Sequence, residues 1–461
     1  DDDTAYLSWT PASAGNRKTW TFSAWVKRGA ISDEGFIFSA DTSTGSSSRE
    51  GFRFESTDEL RFFLGGAVSA DIKTNAKYRD ASAWYHIVIA LDTTQVTASD
   101  RFSLYVNGEQ VTSLATSSYP AQDFVSDFNN AAIHRIGMDL QNTNNPYDGY
   151  MAEINFIDGT ALDPTDFGEF KSGVWVAKSY AGSYGTNGFY LNFSDSANIG
   201  DDLSGNANDW TANNLVATDV VLDSPTENYA VLNPLETGDN TTLSNGNLDV
   251  TLGASGGNWR TVKSTIAPSS GKWYIEVTAG TLFSSLSAGV GVVNVVRDVR
   301  NTYTSFHSDG YMYNCNGNIS SNDSLIRTES SWTTNDVVGV ALDLDANTVR
   351  FYKNGVAQGA AISGLPDASY AFTVGGVNAS NTLFSNFGQL GFTYTPPANH
   401  LALNTANLPD PAIDPAQDDV PADYFNTSLW TGNGSTQDIT GLTFQPDLVW
   451  GKARSDSVSH N

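Results

Sequence analysis

One strand–loop–strand unit occurs twice in this sequence, and it confines the chain to a small set of folds. In the first copy, Ile87-Val88-Ile89-Ala90-Leu91-Asp92 leads to Arg101-Phe102-Ser103-Leu104-Tyr105-Val106-Asn107-Gly108. In the second, Val338-Gly339-Val340-Ala341-Leu342-Asp343 leads to Val349-Arg350-Phe351-Tyr352-Lys353-Asn354-Gly355. Each is an apolar strand ending in Ala-Leu-Asp, then a loop, then a strand that stops at Asn-Gly. Asn-Gly supplies two adjacent residues that tolerate positive φ, as a type I′ hairpin turn requires. The copies lie far apart, and two sandwiches of related architecture explain that better than one large domain.

The rest of the chain agrees. Period-2 segments dominate and helical spacing is nearly absent. Trp20, Phe22 and Ala24 alternate with Thr21, Ser23 and Trp25; Gly51–Phe54 and Leu60–Leu64 read as a hairpin around Ser56-Thr57-Asp58. Short strands at regular spacing with turn residues between them indicate an all-β fold of antiparallel sandwiches. At 461 residues the chain is too long for one core. The expected organisation is a sandwich over 1–215, a linker over 216–240, a sandwich over 241–395, a Pro-rich linker over 396–421, and the start of a further β module over 422–461. The last contains Tyr424-Phe425-Asn426 and Leu448-Val449-Trp450, and about 40 residues cannot bury a core alone. It must continue further or pack on another chain.

Charge and cysteine content narrow the function. The formal net charge is −27 and no basic run exists, which argues against nucleic acid as a partner. No apolar stretch of ~18 residues is present to span a membrane. One cysteine, Cys315, excludes an intrachain disulfide framework and a multi-Cys zinc site, and reads as a lone thiol in a polar loop. The opening Asp1-Asp2-Asp3 reads as a processed chain or a piece of a longer one.

Four motifs over the first ~215 residues resemble, in order, the laminin-G-like branch of the concanavalin A-like lectin/glucanase superfamily. They are Trp20-Thr21-Phe22-Ser23-Ala24-Trp25-Val26-Lys27, Ala83-Trp84-Tyr85-His86-Ile87-Val88, Leu104-Tyr105-Val106-Asn107-Gly108, and Asp148-Gly149-Tyr150-Met151-Ala152-Glu153-Ile154-Asn155-Phe156. Residues ~240–395 look like a SPRY domain, through Gly271-Lys272-Trp273-Tyr274-Ile275-Glu276-Val277, Ala288–Val292, Asp336–Asp343, Val349–Gly355 and Phe384–Gly388. The resemblance implies tandem antiparallel jelly-roll β-sandwiches, concanavalin A-like and then SPRY, with a partial third β segment. The order of modules, and the stretches Pro11–Thr21 and Gly182–Phe193, are similar to tail-fibre or tail-appendage proteins of marine and cyanobacterial bacteriophages. That likeness implies an extracellular place on the virion, other virion proteins as neighbours, and homo-oligomers.

The superfamily includes glucanases, so catalysis must be weighed. Retaining glycosidases need two carboxylates about 5–5.5 Å apart. In the glucanase branch these lie on one strand as Glu-x-Asp-x-x-Glu, where alternate residues share a face. No such string occurs; Glu55-Ser56-Thr57-Asp58-Glu59 has the wrong spacing and falls in a turn, and Glu153 and Asp158 point to opposite faces of a continuous strand. No Gly-x-Ser-x-Gly elbow or phosphate-cradling loop is present, and no His-x-x-x-His pair. Asp343-Leu344-Asp345-Ala346-Asn347 mimics the start of a calcium loop but lacks its Gly and its closing Glu, and reads as a turn. Laminin-G-like domains often hold one calcium ion at a sandwich edge. Asp139, Asp148 and Asp158 are the candidate donors here, although the family's ligands do not map cleanly onto them.

Three functions remain to be separated. The first is a non-catalytic tail or fibre component that attaches to host-surface glycans or another receptor through loops rich in amides and aromatics. Its candidate residues are Asn142, Asn144, Asn145 and Tyr147 in one loop and Tyr303 in another, since rings stack on sugar faces while amides bond hydroxyls. The second is a structural surface protein whose modules pack on copies of themselves, and the third a glycan-degrading enzyme.

Overall fold

Along the Thr19–Arg28 strand, Trp20, Phe22, Ala24 and Val26 enter one core while Thr21, Ser23, Trp25 and Lys27 are buried on the opposite face. A strand covered on both sides belongs in the middle of a sheet, and this one pairs antiparallel with Gly149–Asp158 on one side and Trp84–Asp92 on the other. Phe189–Leu191, Phe102–Val106 and Glu109–Gln110 complete a six-stranded sheet. Facing it is an eight-stranded sheet running from Leu114–Ser118 through Glu50–Phe54 and Gly35–Asp41 to Thr211–Asn213. Phe22 stacks on Phe38 across the gap (4.8 Å, 10°), and Trp20 tilts against Phe128 and Phe156. Each such ring contributes roughly 1.5–3 kcal/mol by leaving water.

These relations come from a computed structural model that describes residues 4–42, 49–139, 145–171, 173–253, 258–282, 288–377, 381–409 and 423–452. The chain forms two compact units, residues 1–169 with 177–408, and residues 170–176 with 409–461.

The first unit holds a second sandwich of the same design. Its eight-stranded sheet includes Lys272–Ala279, Val337–Asp343 and Thr348–Lys353, and its six-stranded sheet runs from Arg260–Lys263 through Tyr370–Gly376 and Ala288–Asn294 to Ser324–Thr328. Trp273, Ile275, Val277, Val290, Val340, Phe351 and Phe372 fill the space between them. Among the described residues the sandwich strands pair antiparallel, with one isolated parallel bridge between Trp273 and Leu401, and the only helical elements are short 3-10 turns. The fold is thus all-β, built from β-sandwiches. Both Asn-Gly turns form as the sequence requires, with positive φ at Asn107, Gly108, Asn354 and Gly355. Ser56-Thr57-Asp58 closes its hairpin, with Phe54 opposite Leu60.

Four sequence expectations differ from the structure. Residues 216–240 do not form a linker. Asp223 is buried, Tyr229–Leu232 enter or line the second core, and the Leu222 amide donates to the Gln389 carbonyl. Polar composition reads as linker only when its partners are unseen. Residues 396–409 are likewise packed: Leu403 is a core residue, and the Leu401 amide donates to the Lys272 carbonyl. Residues 410–422 lie outside the described residues. Cys315 does stand in the polar turn after the Gly310–Asn314 strand, but its side chain is buried in the core and its amide donates to the Ala288 carbonyl.

The fourth difference concerns the second unit. Phe170 meets Trp175 edge-on in the hairpin of Gly168–Lys171 and Val174–Ala177. Residues 423–452 contain no strand, and Phe425, Leu429, Trp430, Leu448, Val449 and Trp450 are exposed. A segment this short has too few residues to bury a core of its own.

Candidate functional site

The loop predicted to meet a glycan through Asn142, Asn144, Asn145 and Tyr147 is used largely for packing. Tyr147 turns inward: its hydroxyl donates to the Lys27 carbonyl (2.9 Å) and its ring lies against Phe54 (6.2 Å, 28°). Burial pushes its hydroxyl pKa well above the ordinary tyrosine value. A tyrosine only 8% exposed offers little ring face to a sugar. The Asn145 side-chain amide donates to Glu34, whose carboxylate also pairs with Arg53. Asn142 and Asn144 lie outside the described residues. A small open cleft beside this loop is lined by Arg28, Glu34, Phe54, Pro146, Tyr147 and Asp148.

The three aspartates considered for calcium serve different partners. Asp139 is fully buried and pairs with Arg49 (2.7 Å). Asp148 accepts the Gly29 amide through its carbonyl, and its carboxylate lies where a side chain at Gly29 would stand. Asp158 ties three loops together: Oδ1 accepts the Asn16 amide (2.7 Å) and Asn129 Nδ2 (2.6 Å), and Oδ2 accepts the Asn187 amide (3.1 Å). Among the described residues no group of three or more His, Cys, Asp or Glu is gathered as a metal site. Asp139, Asp148 and Asp158 are thus not brought together as one donor set for a calcium ion. In the Asp343–Asn347 turn, Asp343 pairs with Lys272 (2.6 Å) and Asp345 accepts the Gly271 amide (2.8 Å), so these oxygens are already engaged.

No carboxylate pair suited to glycoside hydrolysis assembles among the residues considered for it. A bulge at Glu153 (φ +52°) shifts the register between Ala152 and Asn155, and Glu153 accepts the Tyr190 hydroxyl (2.5 Å) while Asp158 stays with its amides. In the Glu55–Glu59 turn, Glu55 pairs with Arg53 and Arg61, Asp58 with Arg28 and Arg79, and Glu59 with Lys77. Ser23 and His86 do meet (Oγ to Nε2, 2.9 Å), but both are buried and Trp25 stacks on the imidazole (4.8 Å). Burial pushes the His86 pKa down to about 3, leaving it neutral and enclosed.

Tyr303 is placed differently. It stacks on the buried Trp259 (4.0 Å, 24°) and leans against Phe306 (4.8 Å, 37°), which is 50% exposed. The support below is rigid. Trp259 Nε1 donates to Thr261 Oγ1 (3.0 Å), Thr261 Oγ1 to the Thr302 carbonyl (2.9 Å), and Thr304 Oγ1 to Thr373 Oγ1 (3.1 Å). A 3-10 turn over Thr304–Phe306 follows, held by the Asp323 amide on the Ser305 carbonyl (2.7 Å). The result is an aromatic step on a hydrogen-bonded base, with Phe306 as its exposed edge. The sequence singles out Tyr303 but not Trp259, since no local pattern ties a tryptophan before one strand to a loop some forty residues later.

Residues 1–166 match the concanavalin A-like lectin/glucanases superfamily through its laminin-G-like model, residues 272–390 match the SPRY domain, and residues 420–461 match a domain of unknown function (DUF7483). The chain contains a laminin-G-like domain and a SPRY domain. No curated protein matches it. Among solved structures, the SPRY domain of human HERC1 is 21% identical, covering 33% of this chain and 96% of that one at a TM-score of 0.30. A human SPRY domain is 14% identical (33% and 97%, TM-score 0.29), and the PSpry domain of TRIM65 18% identical (34% and 89%, TM-score 0.29). The aromatic step therefore has its Tyr303 and Phe306 within the SPRY match, while Asp139, Asp148 and Asp158 belong to the laminin-G-like match. Both are binding-type folds rather than enzyme families, consistent with a binding role.

Proposed function

We propose that this chain is a non-catalytic component of a virion tail or fibre that displays its sandwiches to host-surface glycans. The observation that carries the binding half of this reading is the Trp259–Tyr303–Phe306 step, where a half-buried tyrosine and a half-exposed phenylalanine are packed over a buried tryptophan. Stacking of such rings on the apolar face of a sugar gains area at little entropic cost, because the rings are already fixed. The virion half rests on the resemblance of module order to phage appendages, and implies an extracellular location with other virion proteins as neighbours. Binding of the full chain to host envelope polysaccharide, weakened by Tyr303→Ala, is the expected result. Failure of the intact oligomer to bind any host-envelope glycan or host cell overturns the reading.

A second reading is favoured by the exposed Leu429, Trp430, Leu448, Val449 and Trp450: a structural protein whose copies pack on one another. Size measurement separates the two. A discrete species with glycan affinity supports the first, and an open filament or ring without it supports the second. Release of reducing ends from host polysaccharide would contradict both.

A further inference from the structure

Lys27 closes the outward row of the Thr19–Arg28 strand, yet it reaches no solvent. Its side chain and that of Asp223 are both 0% exposed. Around Nζ stand Asn228 Oδ1 at 2.7 Å, Asp223 Oδ2 at 2.8 Å and the Tyr229 carbonyl at 2.8 Å, with the Tyr150 ring centroid at 5.5 Å. Asn228 Nδ2 donates to the Ser82 carbonyl (2.6 Å), which turns the amide oxygen toward the lysine. Asp223 is fixed through its other oxygen by Trp84 Nε1 (3.1 Å) and the Tyr229 amide (3.2 Å). An amine and a carboxylate, both sealed from solvent, thus meet a half-buried carboxamide beside the Tyr150 and Trp84 rings.

We propose that Lys27 and Asn228 join in an intramolecular isopeptide bond, Nζ to Cγ, formed by the folded chain itself with Asp223 as proton carrier. A carboxamide is a poor electrophile, so the reaction needs a neutral amine held against it for long periods. Burial and close contact both act in that direction. Burial pushes the Lys27 pKa down against the opposing pull of Asp223, which favours the free amine. Contact at hydrogen-bond distance replaces a bimolecular encounter with an intramolecular one, where effective molarities of about 10⁵–10⁸ M are attainable.

The atoms balance without an added reagent. The ammonium gives one proton to Asp223. The freed nitrogen lone pair attacks Cγ of Asn228, forming the new C–N bond and moving the carbonyl pair onto Oδ1. As the carbonyl re-forms, the Cγ–Nδ2 bond breaks, and the departing nitrogen takes a second lysine proton by way of Asp223. Of the lysine's three protons one stays on the new amide and two leave on ammonium, so Asp223 ends as a carboxylate. Trp84 and Tyr229 are positioning residues that hold Asp223. The bond would close a loop between positions 201 apart and join the laminin-G-like domain to the segment that enters the second sandwich. Cross-links of such long loops restrict the unfolded chain most.

The test uses the full-length purified chain. Its intact mass under denaturing conditions is expected to be one ammonia below the sequence mass, with proteolysis yielding a branched peptide that contains Lys27 and Asn228. The branched peptide is the deciding readout, because cyclisation at an Asn-Gly pair also releases ammonia. Asp223→Ala, which keeps both reacting groups, is expected to abolish the branch, and Lys353→Arg to leave it intact. Recovery of Lys27 and Asn228 in separate unmodified peptides from the unaltered chain overturns the proposal, whatever the variants do. So does a branch from Lys27 to Asp223 with loss of water.

Discussion

Asn107 and Asn354 make the same closing contact in two different sandwiches. Each sits at positive φ (50° and 48°), donates its amide to the carbonyl across the hairpin (His86 and Val337, both 2.8 Å), and accepts that same residue's amide on its side-chain oxygen (2.8 Å in both). The side chain thus satisfies a strand-end donor that the ladder leaves unpaired. The doubled Asn-Gly in the sequence is the trace of this shared requirement for a left-handed residue with an acceptor.

Asn354→Ala is therefore expected to destabilise the protein by about 2–3 kcal/mol, because alanine tolerates the left-handed region less well than asparagine and leaves the Val337 amide unpaired. Asn354→Gly removes only the acceptor and is expected to cost roughly 1 kcal/mol. Urea unfolding of the two variants distinguishes these terms; equal losses would mean that the hydrogen bond alone matters.

Asp58 predicts a larger effect. It is buried at φ +75°, and accepts Arg28 Nη1 (2.9 Å), Arg79 Nε (2.6 Å) and the Ser32 amide (2.7 Å), while Arg28 lies over the Phe54 ring. Desolvation opposes its ionisation, but these donors outweigh it and hold its pKa below the usual value. Asp58→Ala leaves Arg28 buried without its counter-ion and is expected to cost about 3–5 kcal/mol. Asp298→Ala removes an exposed pair with Arg300 and is expected to change stability by less than about 0.5 kcal/mol. Denaturant midpoints of the two variants provide the comparison.

The pH dependence of stability follows from His86 and His134. His134 Nε2 accepts the Asn129 amide (3.0 Å) and Nδ1 donates to the Ala132 carbonyl (2.9 Å), a pattern that requires neutral imidazole. Burial pushes its pKa down to about 4, as it pushes that of His86 to about 3. The unfolded chain binds these protons from pH 6.5 downward and the folded chain does not, so this stability is present above pH 6.5 and lost as pH falls toward 4. At pH 4.5 each histidine is expected to cost roughly 2–3 kcal/mol. His134→Gln should be less stable at pH 7.5 yet lose 2–3 kcal/mol less on acidification; identical losses in variant and parent would contradict a neutral buried His134.

The sequence made one kind of relation readable and hid another. Alternation in Trp20–Val26 identifies the core face because the strand period is local, and Asn107-Gly108 identifies a turn because φ is local. Lys27 stands in the outward row beside Thr21 and Ser23, where pattern alone reads it as solvated. Its partner Asp223 lies 196 positions away, in a stretch whose composition reads as linker. Tyr147 shows the same limit: an Asn-Asn-Pro-Tyr loop has one composition whether the ring points outward or, as here, onto Phe54.

The contrast between Tyr147 and Tyr303 gives the last prediction. Both are tyrosines in amide-rich loops, but one is sealed beneath the Lys27 carbonyl and the other rests half-buried on Trp259. Tyr303→Ala removes the middle of the step and is expected to weaken glycan binding by about fivefold to thirtyfold, roughly 1–2 kcal/mol. Tyr303→Phe keeps the ring face and should bind nearly as well. Tyr147→Phe is expected to leave affinity unchanged while lowering stability by about 1 kcal/mol, since it deletes a buried hydrogen bond. Affinity and unfolding measured on the same three variants separate the roles. A loss of affinity in Tyr147→Phe equal to that in Tyr303→Ala would place the binding surface on the laminin-G-like domain instead.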